Sequence, residues 1–578
     1  MKITLGKDFS TIDECLSALR AYRSVERILD LGNEDMFITS PIELDERDSG
    51  TTVIGGGWIF GGVKLSEIRF ADGYITAKLP DGADPAALIA NGRFCPRARF
   101  PEVGELNYRT RCDLVWQGSA KGGWNIPPTK KQLTELEIDP RDIPPGCNLV
   151  DAYITVYHEW DESTVRIRSF DRESGKIVLQ SELEHPAGAF GKTRYAISGI
   201  REGLTRRGSW YLDKKRSEIV YLPLENESID DLVLIAPIAE SALRITNAVG
   251  IRLIGLKISA CNGTHGRSGL RAANCPGAIQ TYSTQNTVID GVQISSTAAH
   301  GIRMLKSEGA VITNCRIENC GAGGIFQHEC GTATIKRNEI ISIGRSTASA
   351  IGIHAGGKSM LLYVLDGGYD VSGSVEISNN TVTDTPYCAI TCNGGPHKIR
   401  ANVIDRSMLT LMDGAAIYSS RADRTEITEN RITRLADGRE NMRGIYGIYY
   451  DEGTANSVIC KNTIENARQP IHFHYSKDVL IKNNVMTSDG DVRFLMAHSY
   501  GIHLFENSIL AKGKIDFITN NTRDEPFGFE NSYVCKDNEV FSGCGIYEKA
   551  DVSHYGEPTK EEYTSLDAKL IRARSTTE

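Results

Sequence analysis

Apolar and polar residues alternate in short segments that recur through the second half of the chain. Three such segments begin at Ile417, Ile448 and Ile471, and each is followed by a turn and a second apolar segment. Because successive side chains of a β-strand point to opposite faces, one face of these segments is mostly apolar and the other carries tyrosine, histidine and aspartate. The pattern predicts short strands that bury one face and leave chemically active groups on the other.

The second segment of each unit ends at an Asn, and these residues set the period of the repeat. Asn484 follows Asn462 by 22 residues, and Asn507 follows Asn484 by 23. Short strands at this period predict the coils of a right-handed parallel β-helix, with longer gaps where loops are inserted. Since Asn tolerates left-handed backbone and bonds to nearby peptide groups, we expect these residues to stack in a ladder at a turn. The comparable turn positions are Gly255, Gly291, Asn314, Asn338, Asn380, Asn402, Asn430, Asn462, Asn484 and Asn507.

The predicted fold class is all-β: a right-handed parallel β-helix (solenoid) with an N-terminal helical cap and an inserted β-sandwich-like domain. A helix capped by Ser10 or Thr11 would bury Cys15, Leu16 and Leu19. The repeat is absent from an early stretch that contains four of the five Trp. The predicted divisions are 1–71 for the cap and first strands, 72–230 for the inserted β-rich domain, 231–510 for the β-helix with its groove, and 511–578 for a C-terminal cap and tail.

Charge and composition narrow the possible partners. Lys and Arg number 65 against 74 Asp and Glu, a formal net charge of −9 without a long basic block. We therefore expect neither nucleic acid nor a membrane as partner. The N-terminal segment has no apolar core followed by a small-residue cleavage site, which predicts no signal peptide and a cytoplasmic location. On the same ground we expect the 14 Cys to be thiols.

The outward positions of the predicted strands form columns when the coils are aligned on their first apolar residue. Equivalent positions in a parallel stack lie about 4.8 Å apart. Tyrosine and histidine rings stack on sugar faces and hydrogen-bond to hydroxyl groups, so the columns predict a carbohydrate-binding groove. The candidate substrate-binding residues on these strands are His328, His354, Asn393, Tyr418, Tyr449, His472 and His474.

Two carboxylates stand out beside the columns. Asp451 ends its strand and precedes Glu452 and a glycine, while Asp413 lies four residues before Ile417. Hydrolysis of a glycosidic bond needs one carboxyl group to protonate the leaving oxygen and a second to act as nucleophile or base. Adjacent coils can supply such a pair. No HExxH, EF-hand or CxxC pattern occurs, so the sequence predicts no metal and no cofactor.

Six segments in order resemble a known family. They are DSGTTVIGGG (48–57), NGRFCPRARFPE (91–102), GSWYLDKKRSEIVYLP (208–223), AITCNGGPHKIRANVI (389–404), DGAAIYSSRAD (413–423) and GIYYDEGTANSVICKN (447–462). Together they are similar to the right-handed β-helix glycoside hydrolases that act on plant cell-wall glycans, above all glycoside hydrolase family 141 and more distantly family 120. That resemblance implies a fucosidase, xylosidase or xylanase-like activity on an oligosaccharide or polysaccharide.

Carried over residue by residue, the resemblance assigns catalytic roles to Asp413 and Asp451, with Glu452 at the second acidic position. It also assigns substrate contacts to Arg421 and His397. The sequence departs from the family pattern at several positions, where Met412, Ala415 and Ser420 replace glycine and Tyr450 replaces leucine. The segment HFHYS (472–476) stands where related β-xylosidases carry a glutamate.

The sequence as a whole predicts a glycoside hydrolase in which Asp451 is the nucleophile or base and Asp413 the acid. A polysaccharide lyase or epimerase on the same fold is the first alternative, and it would need a basic residue such as Arg303, Lys398 or Arg421 beside a uronate. The second alternative is a carbohydrate-binding or tailspike-like protein without catalysis. Fold class does not decide among the three.

Overall fold

The structure is a computed structural model of the 578-residue chain. It describes residues 1–22, 26–118, 123–266, 269, 271–357, 373–439, 443–519, 533–536 and 538–542.

Three long sheets of parallel strands run side by side along the molecule. The first has 14 strands: Lys2–Thr4, Arg27–Asp30, Thr51–Ile54, Arg252–Ile254, Val288–Asp290, Ala310–Thr313, Ala333–Lys336, Val375–Ser378, Lys398–Arg400, Glu426–Thr428, Ala455–Cys460, Lys477–Lys482, Tyr500–Phe505 and Tyr533–Lys536. The second, called the groove sheet below, has 12: Ile42–Leu44, Leu243–Thr246, Gly277–Tyr282, His300–Leu305, Ile325–His328, Ile353–Gly356, Ile390–Gly394, Gly414–Ala422, Ile445–Asp451, Ile471–His474, Val492–Ala497 and Ile515–Thr519. The third has 13: Met36–Phe37, Trp58–Phe60, Lys257–Ser259, Gln293–Thr297, Arg316–Cys320, Glu339–Ile341, Thr381–Thr383, Val403–Asp405, Arg431–Thr433, Thr463–Ile464, Val485–Ser488, Ser508–Ala511 and Glu539–Ser542.

Each coil contributes one strand to each sheet, which is the architecture of a parallel β-helix. In the groove sheet Ile390 pairs with Ile417, and Ile448 pairs with Ile471. These side chains are fully buried, as are the alternate residues Ser419, Tyr450 and Phe473. The predicted fold class and the predicted inward face are therefore confirmed.

The predicted Asn ladder lies at the corner between the first and third sheets. Each side-chain amide donates to the Oδ1 of the Asn in the next coil, at 2.9 Å from Asn402 to Asn430 and 3.0 Å from Asn430 to Asn462. The ladder satisfies polar groups that would otherwise be buried without partners. Its members are Asn338, Asn380, Asn402, Asn430, Asn462, Asn484, Asn507 and Asn538.

Asn314 is not part of this ladder, although the sequence period includes it. Its amide donates at 2.7 Å to Asp290 on the surface. The neighbouring Cys315 occupies the ladder position instead, because its backbone N–H donates to Asn338 Oδ1 at 3.0 Å.

A helix closes the N-terminal end of the stack, as predicted. It spans Ile12–Arg20, and Thr11 accepts the N–H of Glu14 while Glu14 accepts the N–H of Thr11. Its buried residues are Cys15, Leu16 and Leu19. The helix therefore covers an apolar end and the edge of the first strands.

Antiparallel sheets interrupt the coils between Gly62–Lys64 and Leu234–Pro237, somewhat outside the predicted limits of 72 and 230. One four-stranded sheet holds Gly62–Lys64, Leu88–Ala90, Arg93–Cys95 and Leu234–Pro237; another holds Ser66–Ala71, Tyr74–Lys78, Trp210–Asp213 and Glu218–Tyr221. A seven-stranded sheet holds Arg99–Phe100, Leu106–Asn107, Glu135–Glu137, Tyr153–Tyr157, Glu162–Phe170, Lys176–Leu179 and Arg194–Ser198.

A short helix spans Lys130–Thr134, and 3₁₀ turns lie at Glu46–Asp48, Pro140–Asp142, Ala189–Gly191, Arg201–Gly203, Arg271–Asn274 and Leu435–Gly438.

The C-terminal end differs from the prediction that the period stops near residue 510. Ile515–Thr519, Tyr533–Lys536 and Glu539–Ser542 extend the groove sheet, the first sheet and the third sheet. The expected cap and tail after residue 542 lie outside the described residues.

The 13 cysteines in the described part of the chain have free sulfhydryl groups, and Cys544 lies outside it. None of the helices within the described ranges has the length and apolar character needed to span a membrane.

Candidate active site

The groove sheet brings the predicted columns together. Tyr418 pairs with Tyr449 and Tyr449 with His472, while Ser420 pairs with Asp451. The strand Ile353–Gly356 places His354 between Phe326 and Thr391 in this sheet.

Asp451 is held at the end of its strand by three donors. The Tyr418 hydroxyl donates to Oδ2 at 2.6 Å, and His474 Nδ1 donates to Oδ1 at 2.7 Å. The backbone N–H of Glu452 donates to Oδ1 at 2.8 Å. The Asp451 carbonyl accepts from the Thr454 hydroxyl at 2.8 Å, which fixes the turn after the strand. Asp451 is thus a positioned carboxylate beside the groove.

Asp413 immediately precedes the neighbouring strand Gly414–Ala422, in left-handed backbone with φ of 49°. Its carbonyl accepts from the Tyr387 hydroxyl at 2.8 Å. A Cβ at Gly414 would lie 2.5 Å from the Tyr387 ring, so glycine is needed there for Tyr387 to pack. Asp413 and Asp451 therefore approach the groove from opposite ends of adjacent strands.

The environments of the two carboxyl groups shift their pKa values in opposite directions. Burial raises the pKa of Asp413 to about 7, and the negative charges of Asp451 and Glu159 contribute to the same rise. Burial also disfavours ionisation of Asp451, but its hydrogen bonds and the charge of His474 outweigh burial and lower its pKa. Near neutral pH, Asp451 is ionised while Asp413 retains a proton for much of the time.

His474 is the ionic partner of Asp451. Burial opposes its protonation, but the hydrogen bond and charge of Asp451 outweigh burial and raise the pKa of His474. The contact therefore favours the carboxylate–imidazolium form of the pair. The hydroxyl of Tyr418, whose pKa burial and Asp451 raise well above its ordinary value, stays protonated as a donor.

Glu452, the second predicted acidic residue, is engaged by Arg421. Arg421 Nη2 lies 3.2 Å from Glu452 Oε2, and the Arg421 N–H donates to the Glu452 carbonyl at 2.8 Å. The two residues join neighbouring coils at the end of the groove strands. The structure thus gives Glu452 and Arg421 a mutual ion pair beside Asp451.

A cluster of rings lies next to the carboxylates. Tyr449 packs edge-on against Tyr418, with centroids 5.2 Å apart, and His472 stacks on Tyr446 at 4.2 Å. Burial lowers the pKa of His472 to about 3, so its imidazole is neutral. Tyr418 is partly exposed and borders the groove, whereas Tyr449 and His472 are mostly buried behind it.

Earlier coils continue the ring column. His328 is 38% exposed and lies beside His354, which stacks on Phe326 with centroids 4.8 Å apart. His354 Nδ1 bonds to the Thr391 hydroxyl at 2.7 Å, and burial lowers the pKa of His354 to about 3. Asn393 is mostly buried and accepts the N–H of Gly357 through Oδ1 at 3.0 Å.

His397 does not lie in the groove, contrary to the prediction from the sequence. It is fully buried, and its Nε2 bonds to the Asn393 carbonyl at 2.8 Å. Its Nδ1 accepts the N–H of Val375 at 3.2 Å. Both ring nitrogens are therefore used to tie backbone segments of adjacent coils.

The inserted domain supplies a wall that the sequence did not predict. The turn after Tyr153–Tyr157 reaches the β-helix, where the Met412 N–H donates to the Glu159 carbonyl at 2.9 Å. A Cβ at Gly444 would lie 3.0 Å from the Asp413 nitrogen and 3.5 Å from Glu159 Oε1. Glu159 is thus a third acidic group near Asp413.

Aromatic residues extend this wall. Trp160 packs against the β-helix core, and Trp116 lies against Trp160 with ring centroids 6.0 Å apart. A Cβ at Gly118 would lie 3.4 Å from Glu452 Oε1, so the segment after Trp116 reaches the catalytic candidates. The concentration of Trp in the insertion was the one sequence signal that could have indicated this wall.

A cavity of about 300 Å³ lies between the seven-stranded sheet and loops of the β-helix. Its lining includes Arg97, Arg99, Tyr153 and Arg345, and none of the predicted site residues. Asp413 and Asp451 therefore lie outside this cavity.

Fold and site together define a parallel β-helix protein with two carboxylates placed by adjacent strands of one parallel sheet. The model of the right-handed β-helix region family matches residues 224–365 and 364–547, more than half of the chain. The chain belongs to the right-handed β-helix family. A comparison with curated protein sequences gave no match.

Solved structures are similar to this chain at low sequence identity. One described as a glycoside hydrolase is 14% identical, with a TM-score of 0.63 over 84% of this chain and 96% of that chain. XylC in complex with xylose is 11% identical, with a TM-score of 0.43 over 94% and 86%. Tailspike protein 3 of bacteriophage CBA120 is 13% identical, with a TM-score of 0.33 over 52% and 48%.

Proposed function

We propose that this protein is a glycoside hydrolase that cleaves a plant-type oligosaccharide, with Asp413 as general acid and Asp451 as nucleophile or base. The observation that carries the proposal is the opposite pKa shift of two carboxyl groups bordering one groove. When the environments of two carboxyl groups separate their pKa values, one group can act as the acid and the other as the base at the same pH. Glycosidic hydrolysis needs that division.

Each role follows from the local contacts. Asp413 is half-buried beside Asp451 and Glu159, and its raised pKa lets it hold a proton that can pass to the leaving oxygen. Asp451 stays ionised because Tyr418 and His474 donate to it, and it can attack the anomeric carbon or activate a water. The partly exposed rings of Tyr418 and His328 offer faces for sugar stacking.

The finer assignment rests on the sequence resemblance to glycoside hydrolase families 141 and 120, which favours a fucosidase, xylosidase or xylanase-like activity. The similar fold described as a glycoside hydrolase supports the reaction class and leaves the sugar open. Arg421, one of the three basic residues that could serve a lyase or epimerase, is paired with Glu452. That pairing favours hydrolysis over elimination.

A product screen tests the proposal. The protein is incubated with nitrophenyl glycosides and plant oligosaccharides, and both reducing ends and the absorbance of an unsaturated uronate are recorded. We expect reducing sugar without the uronate chromophore. Chromophore formation would replace the hydrolase with a lyase, and absence of both signals across the panel would favour a carbohydrate-binding protein.

A further inference from the structure

Three potential metal ligands converge in the inserted domain, in the wall beside the candidate active site. His158 and Asp161 lie in the turn between strands Tyr153–Tyr157 and Glu162–Phe170, and His185 follows Lys176–Leu179. One ligand atom from each lies within 4.8 Å of the other two. All three residues are at least nine-tenths buried, with exposures of 1%, 2% and 5%.

The polar atoms of this cluster lack ordinary partners. His158 Nδ1, Asp161 Oδ1 and His185 Nδ1 are buried and have no hydrogen-bond partner among the residues that the structure describes. His185 Nδ1 lies 3.2 Å from Asp161 Oδ2, but the two do not form a hydrogen bond of acceptable geometry. Buried polar groups usually have a partner, and a bound metal ion would supply one for all three residues.

The chemistry of the cluster matches zinc. Two imidazole nitrogens and a carboxylate oxygen are a common zinc ligand set, with metal–ligand distances of about 2.0–2.2 Å. Tetrahedral ligands at that distance lie about 3.3–3.5 Å apart. The 3.2 Å separation of His185 Nδ1 and Asp161 Oδ2 is already close to this value. His158 needs a side-chain movement of little more than about 1 Å to join them.

The second ring nitrogen of His158 is also arranged as in metal sites. His158 Nε2 lies 3.3 Å from the Ser163 hydroxyl. The tautomer in which Nε2–H donates to that hydroxyl leaves Nδ1 with a lone pair for a metal. A neutral imidazole with one nitrogen oriented by a neighbour is the form that binds zinc.

Aromatic rings enclose the cluster. The centroids of Trp116, Trp160 and Phe190 lie 5.5 Å, 5.3 Å and 5.2 Å from that of His185. Such a shell limits access of bulk water, and three protein ligands leave the fourth position of a bound zinc to a water molecule.

We propose that His158, Asp161 and His185 bind one Zn²⁺ ion that fixes the turn carrying Glu159 and Trp160. Because the Glu159 carbonyl accepts the Met412 N–H, an ordered turn also orders the segment that leads into Asp413. The metal site is independent of the proposed hydrolase activity. Only its consequence for catalysis depends on that activity.

The test is zinc binding by the full chain. Protein stripped with a chelator is titrated with ZnCl₂ by calorimetry, and elemental analysis of the purified protein measures bound metal. We expect one equivalent of zinc for the wild type and a loss of affinity of about a hundredfold or more for Asp161→Asn and His185→Gln. His503→Gln, a histidine on strand Tyr500–Phe505 far along the chain from the cluster, should bind like wild type.

Wild-type protein that binds no zinc, or variants that bind it as tightly as wild type, would overturn the proposal. So would equal loss of affinity in His503→Gln. Circular dichroism identifies variants that fail to fold. The zinc stoichiometry of the wild-type protein tests the proposal even if the variants do not fold. As an independent readout, Co²⁺ in place of Zn²⁺ should give the visible absorption of a tetrahedral site, which His185→Gln should lose.

Discussion

The charge of Glu159 should help to set the pH above which activity is lost. The pKa of Asp413 lies at about 7 rather than 3.8, a difference of about 4 kcal/mol between its protonation states. Burial is the largest cause, Asp451 the second and Glu159 the third. Glu159→Gln removes the third cause and should lower this pKa by about half to one pH unit.

The assay is the pH dependence of kcat/KM on a substrate found in the product screen. Activity should fall as pH rises through the pKa of Asp413, because the acid then loses its proton. The alkaline limb should therefore move to lower pH in Glu159→Gln. Glu135→Gln is a matched control, since Glu135 forms an ion pair with Lys176 in the seven-stranded sheet just as Glu159 forms one with Lys192. An alkaline limb that stays in place, or that moves equally in the control, would refute the reasoning.

Three further predictions concern stability. The pKa of Asp413 is about 7 in the folded chain, against an ordinary value of 3.8. Between about pH 4 and 7 the folded chain therefore binds more protons at this group than the unfolded chain, and the group's contribution to stability falls as pH rises. Asp413→Asn should raise the Tm at pH 8, relative to wild type, but not at about pH 4. Asn430→Ala breaks the buried ladder and should cost about 1–3 kcal/mol in denaturant unfolding, whereas Asn107→Ala at the surface should change it by less than about 0.5 kcal/mol. His397→Gln should lower the Tm without raising the KM, since the His397 ring bonds only to backbone among the described residues.

The repeat allowed the sequence to predict the β-helix because each coil buries the same few positions. Ile417, Ile448 and Ile471 occupy equivalent positions in strands of successive coils, and all three are fully buried. The columns followed directly, since strand register carries Tyr418, Tyr449 and His472 onto one line. Local periodicity was enough for these features.

Contacts between distant segments could not be predicted in the same way. Glu159 is more than two hundred residues from Asp413 in the sequence, and only the packing of the inserted domain brings it close. His397 matched a family position, but its ring lies in the interior, where each of its two nitrogens bonds to a different backbone group. The buried His158, Asp161 and His185 cluster has no recognisable ligand spacing.

The most direct test of the two-carboxylate mechanism compares leaving groups. An aryl glycoside with a strongly acidic phenol needs no protonation on departure, whereas a natural oligosaccharide does. Asp413→Asn should therefore lose about two or more orders of magnitude in kcat on the oligosaccharide and far less on the aryl glycoside. Asp451→Asn should lose activity on both substrates. Equal losses on both substrates in Asp413→Asn, or near-full activity in Asp451→Asn, would contradict the assignment.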